Sequence, residues 1–283
     1  MSDAPARLPI AWLDVFTDRP FAGNQLAVIL DADGLSDEQM QAMARELTIS
    51  ESIFASDGGR AIRIFAPAYE LPGAGHPVIG VTLELVRRGV IPPAGEWIFQ
   101  TARGETAVAV SDGVATMTQP DPQLGVEHDT VAVAAALRID ERDLASVPQG
   151  CNTGVNQLFA EMRDREALAW LHPDLDLVAG LDGTEGIVAW CELGDGEVAQ
   201  RCFAPLMGIP EDPATGSAAG ALGALRVFRG AEPGRLTVRQ GDEIGRPSEI
   251  RVDVGGSAGA PADVRVGGRA VLVLEGDVEI PAG

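Results

Sequence analysis

The chain contains no lysine: all 21 of its basic residues are arginines, and against 42 acidic residues they leave a formal net charge of −21 over 283 residues. A lysine amine forms the Schiff base with pyridoxal phosphate or a carbonyl substrate, and a lysine also contacts phosphate in P-loop hydrolases and kinases. These chemistries are therefore excluded in their standard forms. The negative charge and the absence of a basic run also argue against binding to nucleic acid or to an anionic membrane.

Cysteine and histidine are scarce. The three cysteines are an odd number without paired metal-site spacing, so no disulfide framework is expected and a reducing cytoplasm is favoured as the location. The three histidines are scattered, so no metal site is expected. No apolar run approaches the roughly 18 residues that span a bilayer, and residues 1–9 lack the pattern of a secretion signal.

A weak internal repeat predicts two related halves. Phe-Ala-Pro occurs at 65–67 and again at 203–205, and Asn-Gln-Leu occurs at 24–26 and again at 156–158. Gly-His at 75–76 corresponds in order and spacing to Gly-Ser at 216–217. We therefore expect one half over residues 1–119 and another over 120–283, with the option that the last strand crosses to the other half. Coincidence in a sequence rich in Ala and Gly is the alternative.

Short β-branched runs bounded by Gly, Pro or Asp predict strands at 10–16, 25–30, 61–65, 97–101, 107–110, 186–191, 198–203, 235–239, 249–254 and 269–274. Ser36 with Gln39 has the spacing of a capping box and predicts a surface helix to Leu47. A second, Ala-rich helix is predicted from Asp129 to Arg138.

Two further segments, 78–86 and 217–228, are apolar around nearly the whole helical wheel. A helix without a polar face must be buried on all sides. Because strands precede and follow both segments, the economical arrangement is a sheet curled around each helix. The expected fold is α+β, with two pseudo-symmetric halves, each a barrel-like, mostly antiparallel sheet around a central helix.

Both predicted central helices begin directly after a Gly-containing loop, at 71–77 and at 211–217. A helix N-terminus presents unpaired N–H groups and a partial positive charge, and so it binds anions such as carboxylates. Pseudo-symmetry predicts that the two N-termini face each other across a cleft that holds a small carboxylate. The alternative is that Asp212, Thr215 and Ser217 only cap a helix.

Two residues are candidates for proton transfer. His76 lies at a predicted helix start, where the positive end of the dipole lowers its pKa and makes it a proton donor or hydrogen-bond partner. Glu51 leads from a polar segment into an apolar strand, where partial desolvation raises the pKa of a carboxyl toward the range useful for acid–base catalysis. The alternative for Glu51 is an ordinary surface glutamate, and His128 and His172 are interpreted as structural.

Several motifs extend over nearly the whole chain: Asp14-Val-Phe-Thr17, Gly23-Asn24, Ser50-Glu51, Arg63-Ile-Phe65, Glu70-Leu-Pro72, Gly75-His76, the block from Gly208 to Ala218, Gln240-Gly241, Gly245-Arg-Pro-Ser248 and Gly267-Gly268. In these motifs the sequence resembles the PhzF family, the phenazine-biosynthesis-like isomerases that share the diaminopimelate epimerase fold. The resemblance implies a homodimer with the active site between two halves, and isomerisation of a dihydro-hydroxyanthranilate without any cofactor.

The resemblance also implies roles for individual residues. It makes Glu51 the residue that moves a proton between ring carbons, and it assigns substrate binding or assistance to Ser50, Gly75, His76, Asp212, Gly216 and Ser217. Ser52, Ala66 and Gly73 depart from the usual family pattern, which affects the expected pocket shape and substrate. Epimerases of the same fold use two cysteines at the helix-start loops, and neither loop here contains one.

The sequence thus predicts a cofactor-independent isomerase that acts on a small carboxylate by general acid–base catalysis, with Glu51, His76 and Asp212 as catalytic residues. A non-catalytic small-carboxylate binding protein on the same fold is the alternative function. A structural or partner-binding domain without a pocket is a third possibility.

Overall fold

The computed structural model describes residues 7–282. Within this range the chain forms six α-helices: α1 Asp37–Leu47, α2 Gly75–Arg87, α3 Thr130–Leu137, α4 Arg165–Ala169, α5 Leu175–Ala179 and α6 Gly216–Phe228. The eighteen strands of the same range are β1 Arg7–Val15, β2 Asn24–Ile29, β3 Glu51–Ser56, β4 Ala61–Phe65, β5 Glu70–Leu71, β6 Gly95–Thr101, β7 Gly104–Ser111, β8 Val114–Thr118, β9 Gln123–Glu127, β10 Gln149–Asn152, β11 Asn156–Glu161, β12 Gly186–Gly194, β13 Glu197–Ala204, β14 Ile209–Asp212, β15 Gly234–Gln240, β16 Ser248–Ser257, β17 Ala260–Gly268 and β18 Ala270–Glu279. The fold is therefore α+β.

The described residues divide into two compact units. The first contains the described residues through Met117 together with those from Gly267 onward, and the second is Thr118–Val266. The predicted halves leave open that the last strand crosses to the other half, and β18 pairs antiparallel with β1 from Arg7 opposite Glu279 to Val15 opposite Ala270. The last strand therefore completes the sheet of the first unit.

In the first unit, strands surround helix α2. Strand β1 lies between β18 and β2 and pairs antiparallel with both. Strand β2 pairs in parallel with β3, and β3 pairs antiparallel with β4. Helix α2 is buried along most of its length and packs against β1, β2 and β3. A Cβ at Gly80 would lie 2.3 Å from the Leu26 side chain, so the absence of a side chain permits this close packing. An apolar helix without a polar face thus lies inside the sheet, as predicted.

In the second unit, α6 has the same role. Strands β11 and β12 pair in parallel, β12 and β13 antiparallel, β13 and β15 in parallel, and β15 and β16 antiparallel. Helix α6 packs against β16, β10 and β11. A Cβ at Gly223 would lie 2.9 Å from the side chains of both Val252 and Val254, so glycine again permits close approach.

The predicted helix caps are confirmed. Ser36 accepts a hydrogen bond from the Gln39 backbone, and the Gln39 side chain accepts one from the Ser36 backbone, which completes the capping box of α1. Asp129 caps α3 by accepting from the backbone of Val131 and Ala132. Helices α4 and α5 are absent from the predicted elements, because five residues are too few to show a helical period. Strands β5, β8, β9, β10, β11, β14 and β17 are absent too. Strand β5 has only two residues and every residue of β9 is exposed, so neither shows an alternation.

The two Phe-Ala-Pro segments occupy matching environments. In the first unit the Arg63 guanidinium lies 5.1 Å from the ring centre of Phe65 and makes two hydrogen bonds to Glu70. In the second unit Arg201 lies at the same 5.1 Å from the ring centre of Phe203 and makes two hydrogen bonds to a glutamate preceding α6. This shared arrangement supports the interpretation of the repeat as a duplication.

Candidate active site

Glu51 is the first residue of β3, and the parallel pairing of this strand with β2 sets its position opposite Leu26. Only 9% of the residue is exposed. Burial raises the pKa of the Glu51 carboxyl from 4.5 to about 7, and the polar Ser50 side chain beside it partly opposes this rise. The predicted desolvation is thus present, and the carboxyl titrates near neutral pH, where one group can both take and return a proton.

His76 is the second residue of α2 and is buried beside this carboxyl. Its Nε2 lies 3.4 Å from Oε2 of Glu51. The helix begins at Gly75, and the preceding Ala74 provides no side-chain cap. Pro77 in the first turn lacks an N–H where no intrahelical partner exists, so it fits this position. Two residues that are 25 positions apart in the sequence, with strands β3, β4 and β5 before the start of α2, are therefore brought together in the first unit.

Ser50 belongs to a polar cluster around Glu51. The Ser50 hydroxyl donates a hydrogen bond of 3.3 Å to Oδ1 of Asn24, a buried side chain at the start of β2. Gly23, just before it, has a φ of +64°, and a Cβ there would lie 2.2 Å from the Val15 carbonyl oxygen. Asn24 is not among the predicted site residues, although the Gly-Asn motif that contains it is one of those that carry the family resemblance.

In the second unit, Asp212 is buried at the end of β14. The Thr215 hydroxyl donates a hydrogen bond of 2.5 Å to Oδ2 of Asp212. Thr215 is the N-cap residue of α6, yet it makes no side-chain cap bond to this helix. Its hydroxyl is therefore used to hold the carboxylate, which differs from the alternative in which these side chains only cap a helix.

Gly216 and Ser217 form the first turn of α6. Gly216 is buried, Ser217 is half-buried, and the Ser217 carbonyl accepts a hydrogen bond of 3.2 Å from the Thr153 hydroxyl. This turn corresponds in the repeat to Gly75 and His76 of the first unit. Each unit thus brings a Gly-containing loop to the start of its buried helix.

In the second unit, the position that corresponds to Glu51 in the internal repeat carries no carboxyl. Leu26 pairs with Glu51 in the first unit, and the corresponding Leu158 of the repeat pairs with Ile187, which is fully buried. A serine also replaces the histidine at the start of the helix. The acid–base pair of carboxyl and imidazole is therefore a feature of the first unit.

The three cysteines are all buried and carry free thiols. Burial raises the pKa of the Cys151 and Cys202 thiols to about 12 and also raises that of Cys191. A thiol of such high pKa stays protonated near neutral pH and is a poor base or nucleophile. The cysteines are therefore buried hydrophobic residues.

Neither a clustered metal site nor a membrane-spanning helix is present in the described part of the chain. No group of three or more His, Cys, Asp or Glu side chains in residues 7–282 is arranged to hold a metal ion. None of the helices in this range combines the length and apolar character that crossing a bilayer requires.

Comparisons with known proteins give the family that the chain is similar to. A family model described as phenazine biosynthesis-like protein, PhzC-PhzF, matches residues 13–276. A trans-2,3-dihydro-3-hydroxyanthranilate isomerase of Pseudomonas aeruginosa is 33% identical over 277 residues, covering 93% of this chain and 96% of the relative. The crystal structure of a PhzF-family protein of Bacillus anthracis superposes with a TM-score of 0.87 at 24% identity, covering 97% of this chain and all of the other.

The fold extends beyond this family. A hydroxyproline epimerase of Agrobacterium vitis superposes with a TM-score of 0.61 at 16% identity, covering 97% of this chain and 93% of the other. This likeness shows the shared diaminopimelate epimerase-like fold. The family match over residues 13–276 and the related isomerase lead to one conclusion: the chain belongs to the PhzC-PhzF, phenazine biosynthesis-like family and is an isomerase.

Proposed function

We propose that this isomerase moves a proton between two carbons of a small, carboxylate-bearing substrate by general acid–base catalysis, without a cofactor. The observation that carries the proposal is the buried Glu51 carboxyl, whose pKa is raised to about 7 and which lies 3.4 Å from His76. The related Pseudomonas enzyme is named for trans-2,3-dihydro-3-hydroxyanthranilate. We propose a substrate of that class, a cyclic amino carboxylate with an activated C–H bond.

In the proposed reaction the Glu51 carboxylate takes a proton from the activated carbon. The electron pair of the broken C–H bond moves into the conjugated system, and a second carbon then takes the proton back from the Glu51 carboxyl. No oxidant or reductant is consumed, because the step only relocates a proton and a double bond. His76 stabilises the changing charge on Glu51 through its ring nitrogen.

A single base has a stereochemical consequence. The position that corresponds to Glu51 in the second unit is the apolar Ile187, so the repeat supplies no second base equivalent to Glu51. We therefore propose that the proton leaves and returns on the same face. Part of the hydrogen removed from the substrate is then found in the product, in competition with exchange into solvent.

Substrate binding is assigned to the remaining predicted residues. Helices α2 and α6 both begin without a side-chain cap, at Gly75 and at Gly216, and helix N-termini bind carboxylates. We propose that these N-termini and Ser217 hold the substrate carboxylate. Ser50 and Asp212 orient its amino and hydroxyl groups. The location of these groups in one cleft, homodimerisation and a cytoplasmic location stay predictions.

The alternative, a non-catalytic carboxylate-binding protein, needs the helix N-termini but no desolvated base. The burial of Glu51 and its contact with His76 favour catalysis, because burying an ionisable carboxyl costs stability and a binding protein gains nothing from it.

The test is conversion of trans-2,3-dihydro-3-hydroxyanthranilate in D₂O, with deuterium in substrate and product followed by mass spectrometry. Wild-type protein should isomerise the compound, and Glu51→Gln should lose conversion and deuterium uptake by at least about a hundredfold. Glu46→Gln, on the exposed end of α1, is the matched control and should behave as wild type. Undiminished exchange in Glu51→Gln would overturn the role of Glu51, and an inactive wild type would overturn the substrate class.

A further inference from the structure

The second unit contains a conspicuous motif that the proposed chemistry does not use. Gln240-Gly241 ends β15, and Gly245-Arg-Pro-Ser248 leads into β16, with a short 3₁₀ helix at Asp242–Ile244 between them. This turn, residues 240–248, packs against the loop that carries Asp212. Its contacts are made chiefly by one side chain.

The Gln240 side chain is 2% exposed and is joined to the Asp212 loop by three hydrogen bonds. Its Nε2 donates to the Asp212 carbonyl at 2.7 Å and to the Thr215 hydroxyl at 3.0 Å. Its Oε1 accepts from the Thr215 backbone N–H at 3.0 Å and from Nε2 of Gln200 at 2.7 Å. An amide has two donor hydrogens and two acceptor lone pairs, so every hydrogen-bonding position of Gln240 is occupied.

Backbone groups determine which way the Gln240 amide points. The Asp212 carbonyl can only accept and the Thr215 N–H can only donate, so the amide nitrogen faces the former and the oxygen faces the latter. The Thr215 hydroxyl then accepts a hydrogen bond from Gln240. Its own single proton is left for Oδ2 of Asp212, to which it donates. The orientation of the Asp212 carboxylate is therefore determined through a chain that begins at Gln240.

Two further residues of the turn restrain the same loop. The Ser248 hydroxyl donates to the Gln240 carbonyl at 2.9 Å and lies 3.3 Å from the Pro213 carbonyl. Gly241 has a φ of +85°, and a Cβ there would lie 2.6 Å from the Pro213 carbonyl oxygen and 2.3 Å from that of Arg246. Only glycine permits the turn to approach the loop this closely.

We infer that Gln240 is a positioning residue of the active site, which sets the orientation of the Asp212 carboxylate and of the first turn of α6 through hydrogen bonds to the 212–215 segment. The effect of Gln240 on turnover rests on the proposed function, in which Asp212 and the first turn of α6 bind substrate. The effect of Gln240 on the geometry of the 212–215 segment is independent of that function.

The first experiment replaces Gln240 by methionine, which keeps the length of the side chain and removes its hydrogen bonds. Gln157→Met is the control, because Gln157 is an equally buried glutamine of the second unit with no hydrogen bond to the 212–215 segment. Amide hydrogen exchange of peptides covering residues 211–218 should become at least about tenfold faster in Gln240→Met and remain unchanged in Gln157→Met. Loss of ordered hydrogen bonds exposes amides to local opening. Unchanged exchange in this segment would overturn the inference, whatever the activity.

The second experiment measures kcat and KM for trans-2,3-dihydro-3-hydroxyanthranilate. A misplaced binding group lowers kcat/KM by about ten- to a hundredfold in Gln240→Met, while Gln157→Met stays within about twofold of wild type. The third variant, Gln240→Glu, gives a pH signature. When ionised, the introduced side chain can only accept hydrogen bonds. When protonated, it regains one donor for the Asp212 carbonyl or for Thr215.

The ratio of kcat/KM for Gln240→Glu to that of wild type should therefore rise as the pH is lowered from about 8 to about 6, while the ratio for Gln240→Met stays flat. Taking the ratio at each pH removes the contribution of Glu51, which both proteins share. Parallel, flat ratios would show that Gln240 only fills space and would overturn the positioning role. If wild type is inactive toward this substrate, the proposed function fails, and hydrogen exchange still decides the inference about Gln240.

Discussion

Replacing Glu51 by glutamine should stabilise the protein while removing its activity. The carboxyl is buried at the start of β3, where burial disfavours the charged form and raises its pKa from 4.5 to about 7. Glutamine has nearly the same shape and carries no charge at any pH. The variant therefore removes the cost of ionising a buried group.

The magnitude follows from the change in proton affinity. One pKa unit corresponds to about 1.4 kcal/mol, so the rise of the Glu51 pKa from 4.5 to about 7 corresponds to about 3 kcal/mol. Because the folded-state pKa is raised, the folded state binds the proton more tightly than the unfolded state. The stabilisation from the protonated carboxyl is complete below pH 4.5 and is lost as the pH rises to about 7.

The free energy of unfolding should therefore diverge with pH between wild type and Glu51→Gln. We expect the difference to change by about 3 kcal/mol between about pH 4.5 and about pH 8, with the variant gaining stability relative to wild type as the pH rises. Urea unfolding at several pH values measures it, and Glu46→Gln on exposed α1 should show a flat difference. A pH-independent difference for Glu51→Gln would refute the reasoning, since the carboxyl would then titrate alike in both states.

The remaining predictions concern other groups. The kcat/KM of wild type should fall about tenfold per pH unit below about pH 7, because the proposed base must be ionised. His76→Leu should move the midpoint of this pH profile upward by removing a polar group beside Glu51. A wild-type midpoint near pH 4.5 would contradict a desolvated base. Arg201→Met should cost about 3–5 kcal/mol of stability by leaving the largely buried Glu211 carboxylate unpaired, and Arg63→Met should cost less, because the Arg63 side chain is 33% exposed against 7% for Arg201. If urea unfolding shows a larger loss of stability for Arg63→Met than for Arg201→Met, burial of the arginine does not determine the loss. The buried thiols should resist iodoacetamide at about pH 8 until the chain is denatured, and rapid labelling of the native protein, followed by mass spectrometry, would contradict their high pKa.

Local patterns are enough to predict most elements of the fold. The capping box at Ser36 and the Asp129 cap are formed by residues within three positions of each other, so the sequence contains all the information that they need. The apolar helices around Gly80 and Gly223 are predicted to be buried because no face could meet water. Two short helices and seven strands escape prediction, because tertiary packing or strand pairing holds them rather than any periodic pattern; they are α4, α5, β5, β8, β9, β10, β11, β14 and β17.

The residues of the candidate site can be predicted from the sequence, but the contacts between them cannot, because these contacts depend on tertiary packing. Glu51 and His76 can be named from their local context, a polar segment entering a strand and a loop opening a helix. Their separation of 3.4 Å depends on the parallel pairing of β2 with β3 and on the packing of α2 against both. The hydrogen bonds of Gln240 to the Asp212 loop join groups 25 and 28 residues apart in the chain, and no local pattern reports such contacts.

The absence of lysine excludes several covalent mechanisms, because a functional group that the chain lacks is lacking in every fold the chain could adopt. The sequence by itself also determined the buried helices and the loops that open them, since periodicity and capping act over a few residues. Tertiary structure decided how completely Glu51 is buried, so that it titrates near pH 7, and it alone placed His76 beside Glu51 and Ile187 at the corresponding position of the second unit. It also decided between the two options for the last strand, because β18 pairs with β1. Desolvation and strand pairing depend on what surrounds a residue in space, and this is set by parts of the chain far away in sequence.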